Sequence, residues 1–188
     1  MDDINEIIAD HIKVVRDLEL LIPEIKTVAG RMVDSIERGG AIFWAGNGGS
    51  AADSQHLAAE FVGRFRRERS PFASVALTTD TSVLTAVSND YGYEEVFRRQ
   101  VEALCTAEDV LVGISTSGNS ANVLAAVEEA NSKGIQTVGL SGKGGGKLKE
   151  LTDTCLVVPS DATARVQEAH ILIGHVLCEH VEHALTTS

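Results

Sequence analysis

The 188 residues include only three cysteines, Cys105, Cys155 and Cys178, with no C-x-x-C spacing, so neither a disulfide framework nor a zinc knuckle is expected. Each reads as a small apolar filler, and a reducing, cytoplasmic setting fits. Positive charge is scarce too: 16 Lys and Arg stand against 27 Asp and Glu, a formal net charge of -11. That balance opposes broad electrostatic binding to nucleic acid or to an anionic membrane. No apolar run reaches membrane-spanning length, and the acidic opening Met1-Asp2-Asp3 lacks the layout of a signal peptide. Any bound anion must therefore be gripped locally, by backbone N–H groups, hydroxyls and helix N-termini.

At 44% hydrophobic residues, the chain can bury a substantial core, and its length suits one domain spanning residues 1–188. Ile4, Ile7, Ile8, Ile12, Val15 and Leu18 recur at three- and four-residue steps, which predicts an amphipathic helix from Asp3 to Leu21. Pro23 suits the first turn of a second helix, ended by Gly39-Gly40. Strands are predicted at Ala41–Ala45, Ser74–Leu77, Asp109–Ile114, Ile135–Leu140 and Thr154–Val158. Helices are predicted between them, at Ser50–Val62, Asp80–Ser88, Glu94–Leu104 and Ala121–Ser132, and a long helix, Ala164–Leu185, closes the chain. This alternation predicts an α/β three-layer sandwich around a five-stranded parallel sheet. Gly142-Lys-Gly-Gly-Gly146 reads as a loop tip.

Two strand-to-helix junctions carry unusual chemistry. In Gly46-Asn-Gly-Gly-Ser50 the glycines let the backbone approach a ligand, while Ser50 also suits a helix cap with Asp53 three residues on. The Gly46-x-Gly48-x-x-Ala51 pattern loosely matches a dinucleotide fingerprint, but Arg66 to Arg69 occupies the region where that site needs an acidic residue. Ser115-Thr-Ser-Gly-Asn-Ser120 places four hydroxyls at a helix start, where neutral donors and the helix dipole suit a phosphate. No Lys of the G-K-[ST] type follows either loop, which argues against a nucleoside-triphosphatase P-loop.

Taken in order, Gly46-Asn-Gly-Gly-Ser50, Gln55-His56 with Glu60, Asn89-Asp90, Gly113-Ile-Ser-Thr-Ser-Gly-Asn-Ser120 and Arg165-Val-Gln-Glu-Ala-His170 resemble the bacterial phosphoheptose isomerases of the sugar isomerase (SIS) fold. The resemblance implies a flavodoxin-like sheet and conversion of sedoheptulose 7-phosphate to D-glycero-D-manno-heptose 7-phosphate, through an enediol, for bacterial heptose precursors. It also implies a homotetramer with active sites between subunits, residues 1–40 serving as a helical oligomerisation segment and 41–188 as the α/β core. By matched position, Ser115, Thr116, Ser117 and Ser120 bind phosphate, and Asn47, Gly48, Gly49, Asn89 and Asp90 contact the sugar, with Ser50, Glu60 and Gln167 also at the substrate. Glu60 and His175 move the proton. His56, Glu60, Gln167 and His175 match a set that holds zinc in some relatives, one ion per subunit.

One departure stands out: where several relatives carry an acidic residue before Arg-x-Gln-Glu, this chain has Ala164, with Asp161 nearby. Ala164 is shared with a non-catalytic scaffold of the same fold that binds the bacterial replication initiator, which makes that the rival reading. Glu60 and His175 favour the enzyme instead. A sugar-phosphate sensor is a third reading, one that would keep the hydroxyl loop without needing Glu60.

Spacing gives independent, weaker support. His56 and Glu60, four apart, share one helix face, and Gln167 and His175 lie about 80° apart around theirs. An enediol reaction needs a base at carbon in a largely dry site, which Ala58, Ala59, Phe61 and Val62 permit. His11, His170, His180 and His183 read as surface or packing residues, and Arg64–Arg69 as a solvated turn from which one arginine reaches a neighbouring subunit's substrate.

Overall fold

A computed structural model describes residues 3–187. Helix α1 (Ile4–Asp17) starts where the Asp3 carboxylate accepts the Asn5 N–H, and a short 3-10 turn, Leu18–Leu21, leads into α2 (Ile22–Glu37), with Pro23 in its first turn. Five strands follow: β1 (Ile42–Gly46), β2 (Ser74–Ala76), β3 (Val110–Ser115), β4 (Gln136–Ser141) and β5 (Thr154–Val157). They form one all-parallel sheet in the order β2-β1-β3-β4-β5. The connecting helices are α3 (Gly49–Val62), α4 (Thr81–Tyr91), α5 (Arg98–Leu104), α6 (Ala121–Ser132) and α7 (Gly146–Leu151), and α8 (Thr163–Thr186) ends the chain.

Every residue of β1 and β3 is buried, as strands covered on both faces must be. Alternate side chains feed two separate cores. Ile42, Trp44, Val110, Val112 and Ile114 pack with α1, α2, α3 and α8, while Phe43, Ala45 and Leu111 pack with α5, α6 and α7. Each fully buried Leu, Ile or Phe side chain stabilises the fold by roughly 1.5–3 kcal/mol. Trp44 keeps its polar end satisfied in the core, its Nε1–H donating to Ser74 Oγ at 2.9 Å and Ser74 Oγ donating in turn to the Ile42 carbonyl at 2.9 Å. Among the described residues no helix is long and apolar enough to cross a membrane.

The predicted strands and helices are present, with four local corrections. Gly142–Gly146 is not a loop tip: it folds back on the 115–120 loop and continues into α7, which the sequence reading missed. Positive φ at Lys143, Gly144, Gly145 and Gly146 makes that tight return possible. Ser50 caps nothing, because α3 begins at Gly49 and its cap position is Gly48, so the Ser50 side chain is buried one residue inside the helix. The segment expected as one helix from Glu94 is a 3-10 turn, Tyr93–Glu95, followed by α5.

Arg69 is the fourth correction. Its side chain is 5% exposed and paired with the buried Glu182 at 3.1 Å, so it is an internal anchor and is unavailable to a neighbour's substrate. His170 is a core residue, fully buried, and burial pushes its imidazole down to about 4 against the opposing pull of the Ser141 backbone.

Candidate active site

The order β2-β1-β3-β4-β5 puts the topological switch between β1 and β3, and in open α/β sheets ligands bind beyond the strand C-termini at such a point. Both chemically unusual loops sit there, one after β1 and one after β3. They are locked together by a reciprocal amide pair: Asn47 Nδ2 donates to Asn122 Oδ1 at 2.8 Å, and Asn122 Nδ2 donates to Asn47 Oδ1 at 2.8 Å. Tyr93 Oη also donates to Asn47 Oδ1, at 3.0 Å. The Asn47 side chain, expected at the sugar, thus serves first to join the loops. Asn122 and Tyr93 escaped the sequence reading; the one available hint was a polar Asn on the otherwise apolar buried face of α6.

The second loop is a preformed hydroxyl cluster. Ser115 Oγ lies 2.9 Å from Ser120 Oγ and 3.4 Å from Ser117 Oγ. Ser120 occupies the cap position of α6, yet its hydroxyl turns to Ser115 instead of capping the helix. Helical N–H groups and hydroxyls therefore face the same place, an arrangement that suits an anion. Thr116 and Ser117 are half-buried beside it.

The β1 loop leads into α3, whose Asp53, His56 and Glu60 fall at i, i+3 and i+7 and so share one face. Helix α8 crosses this face. At Gly174 the crossing is so tight that a Cβ would meet Leu57 Cδ2 at 2.5 Å, and the neighbours of these two residues in sequence are His175 and His56. The close approach brings His56 Nε2 to 2.8 Å from His175 Nε2, with the rings edge-to-face, while Glu60 Oε1 lies 3.5 Å from His56 Nε2. Nearer the loops, Gln167 Nε2 donates to Asp53 Oδ1 at 2.7 Å and its side chain lies beside Gly49. Burial pushes the Asp53 carboxyl up against the opposing pull of Gln167, His56 and His175, and its Oδ2 is buried without a partner.

The structure thus gathers His56, Glu60, Gln167 and His175 within one chain, together with Asp53, which the sequence reading treated only as part of a cap. Asn89 and Asp90 lie exposed in the last turn of α4, bonded to each other at 2.8 Å, and no hydrogen bond joins them to the other candidates. Burial pushes the Cys105 and Cys178 thiols up to about 12 and Cys155 to about 11, so none is a ready thiolate nucleophile.

For a metal, two imidazoles, a carboxylate and an amide oxygen are donor types that zinc accepts. Gln167 turns its Nε2 to Asp53, which leaves Oε1 as the acceptor end of the amide. Among the described residues, however, no group of three or more His, Cys, Asp or Glu side chains is arranged to hold a metal ion. The two Nε2 atoms face each other across hydrogen-bond distance.

Comparison with known proteins agrees with this picture. The SIS domain model matches residues 8–142. A phosphoheptose isomerase of Roseiflexus sp. is 57% identical over 170 residues, covering 90% of this chain and 86% of the relative. Phosphoheptose isomerase 1 of Campylobacter jejuni is 54% identical over 92% of this chain and 93% of its own. The solved phosphoheptose isomerase of Neisseria gonorrhoeae superposes with a TM-score of 0.91 at 44% identity, covering 96% of this chain and 97% of that one. By sequence and by fold alike, the chain belongs to the SIS domain family and, within it, to the phosphoheptose isomerases.

Proposed function

We propose that the protein interconverts sedoheptulose 7-phosphate and D-glycero-D-manno-heptose 7-phosphate. The observation that carries this is the meeting of a carboxylate and an imidazole from two helices, Glu60 and His175 around His56, on the helix that the β1 loop at the sheet's switch point leads into. The hydroxyls of Ser115, Thr116, Ser117 and Ser120 and the start of α6 hold the 7-phosphate, and the β1 loop and Gln167 line the sugar's reacting end. Glu60 removes a proton from C1 of the ketose, giving an enediol, and its carboxyl, after exchanging that proton with solvent, protonates C2. His175 carries the matching proton between the oxygens on C2 and C1, so no net proton is gained or lost. Holding both groups at the two reacting carbons supplies the positional advantage.

Where zinc is bound, His56, Glu60, Gln167 and His175 would hold it, and it would polarise the sugar oxygens as a Lewis acid. The assembly we propose is a homotetramer with active sites at subunit interfaces, residues 1–40 contributing to it. Exposed Ile4, Ile8 and Ile12 on α1, Ile22 on α2 and Val176 on α8 support a covered apolar face. A cytoplasmic location is supported by the three free cysteines.

The scaffold and sensor readings are not favoured, since the matched relatives are named as isomerases. Incubating the purified protein with sedoheptulose 7-phosphate should yield the aldose, with about one zinc per subunit by elemental analysis. No aldose would reject the isomerase, absence of zinc from active protein would reject the metal, and a solution mass of a single 20.0 kDa chain would reject the tetramer.

A further inference from the structure

The turn after α3, residues 63–70, contains no regular element, yet it delivers an aromatic wall to the active site. The Phe65 ring stacks on the His175 imidazole, with centroids 5.5 Å apart and planes 29° apart. Stacking of this kind leaves the imidazole little freedom to rotate out of line with His56 and Glu60. What fixes the turn is one carboxylate from α8. Glu182 Oε1 accepts the Phe65 N–H at 2.9 Å, and Oε2 accepts those of Arg66 at 2.8 Å and Arg67 at 2.9 Å. Arg69 Nε then donates to Glu182 Oε1 at 3.1 Å.

Arg69 carries the restraint onward. Its Nη2 donates to the Glu60 carbonyl at 2.9 Å, a group that the end of α3 would otherwise leave unpaired, and its Nη1 donates at 2.9 Å to the Phe61 carbonyl, which also accepts the Phe72 N–H. The pair joins the turn of α3 that bears Glu60 to the helix that bears His175, seven residues before Glu182 and on the same face. Glu182 is 1% exposed. Burial alone would raise its carboxyl, but the three N–H donors and Arg69 outweigh that and hold it below the usual carboxylate range. Buried ion pairs gain little over apolar packing for stability, so the use of one here points to a geometric task.

We propose that Glu182 is a positioning residue for proton transfer: through Arg69 and the 65–67 backbone it sets the spacing of Glu60 and His175, and through Phe65 it sets the angle of the imidazole. Neither Glu182 nor Phe65 needs to touch substrate for this. The kinetic part of the proposal rests on the isomerase reading; the geometric part does not.

Two variants and two readouts test it. Glu182→Gln keeps the volume but puts an amide N–H₂ against backbone donors, and Phe65→Leu removes the ring while leaving the turn pinned. Because small misplacements cost up to about 10²-fold, each is expected to lower kcat about tenfold with KM changed less than about twofold, the phosphate loop being untouched. Phe65→Tyr, which keeps the stack, should restore the wild-type rate. Independently of substrate, the NMR resonances of the His175 ring protons should lose their aromatic ring-current shift in both Glu182→Gln and Phe65→Leu. A folded Glu182→Gln protein with wild-type kcat and unshifted His175 resonances overturns the proposal. Should Glu182→Gln fail to fold, the same result in Phe65→Leu overturns it. If the wild-type protein shows no turnover, the isomerase reading fails and the ring resonances alone decide the clamp.

Discussion

Replacing Glu60 with Gln is expected to lower kcat on sedoheptulose 7-phosphate by roughly 10²-fold or more. The substitution preserves volume and a polar tip, so the packing of α3 against α8 survives, but the side chain can no longer accept a proton from carbon. The hydroxyl loop lies on a different element, after β3, so KM should change only a few-fold. Steady-state kinetics on the folded variant checks both parts. Equal rates in the two proteins would remove Glu60 from the chemistry, whereas a raised KM at unchanged kcat would make it a binding group.

Gly118→Ala carries the second large effect, on the phosphate loop and on stability together. Gly118 has a φ of 67°, a conformation that L side chains rarely adopt, and its N–H donates to the Ser115 carbonyl at 2.9 Å to close the turn between the serines. A Cβ here would come within 1.9 Å of the Gly145 carbonyl oxygen, which belongs to backbone and cannot swing away. That backbone is itself tied to the loop, since Leu148 N–H donates to the Gly118 carbonyl at 3.0 Å. The loop and the 142–146 return must therefore separate, at a cost of about 1–3 kcal/mol for the strained backbone and more for the lost packing. Denaturant melts should show the stability loss. Kinetics should show KM raised at least about tenfold, because the Ser115, Ser117 and Ser120 hydroxyls no longer share one geometry. Wild-type stability and KM in this variant would mean that the loop does not hold the phosphate as drawn.

The sheet was legible in the sequence because its signals are local. Val110–Ile114 is a buried apolar run between turn residues, and the helices announce themselves by three- and four-residue steps. His56 and Glu60 were legible as neighbours on one face for the same reason. That His175 joins them was carried by the order of the motifs, since spacing along α8 alone places it only relative to Gln167.

What stayed hidden depends on partners far apart in the chain. Asn47 meets Asn122 across 75 residues, Asp53 meets Gln167 across 114, and Arg69 meets Glu182 across 113. No local periodicity encodes such pairs, so Arg69 read as part of a solvated turn and Asp53 as part of a helix cap. The glycine-rich 142–146 segment misled differently: its composition is that of an exposed turn, but its positive φ values serve a close approach to the 115–120 loop.

Isomerisation carried out in heavy water and followed by proton NMR tests most directly whether a carboxylate and an imidazole move protons through an enediol. The account predicts solvent deuterium bound to carbon at C2 of the aldose, with label and product both formed roughly 10²-fold or more slowly when Glu60 is Gln. An unlabelled aldose, formed as fast by the Glu60→Gln protein as by the wild type, would contradict it.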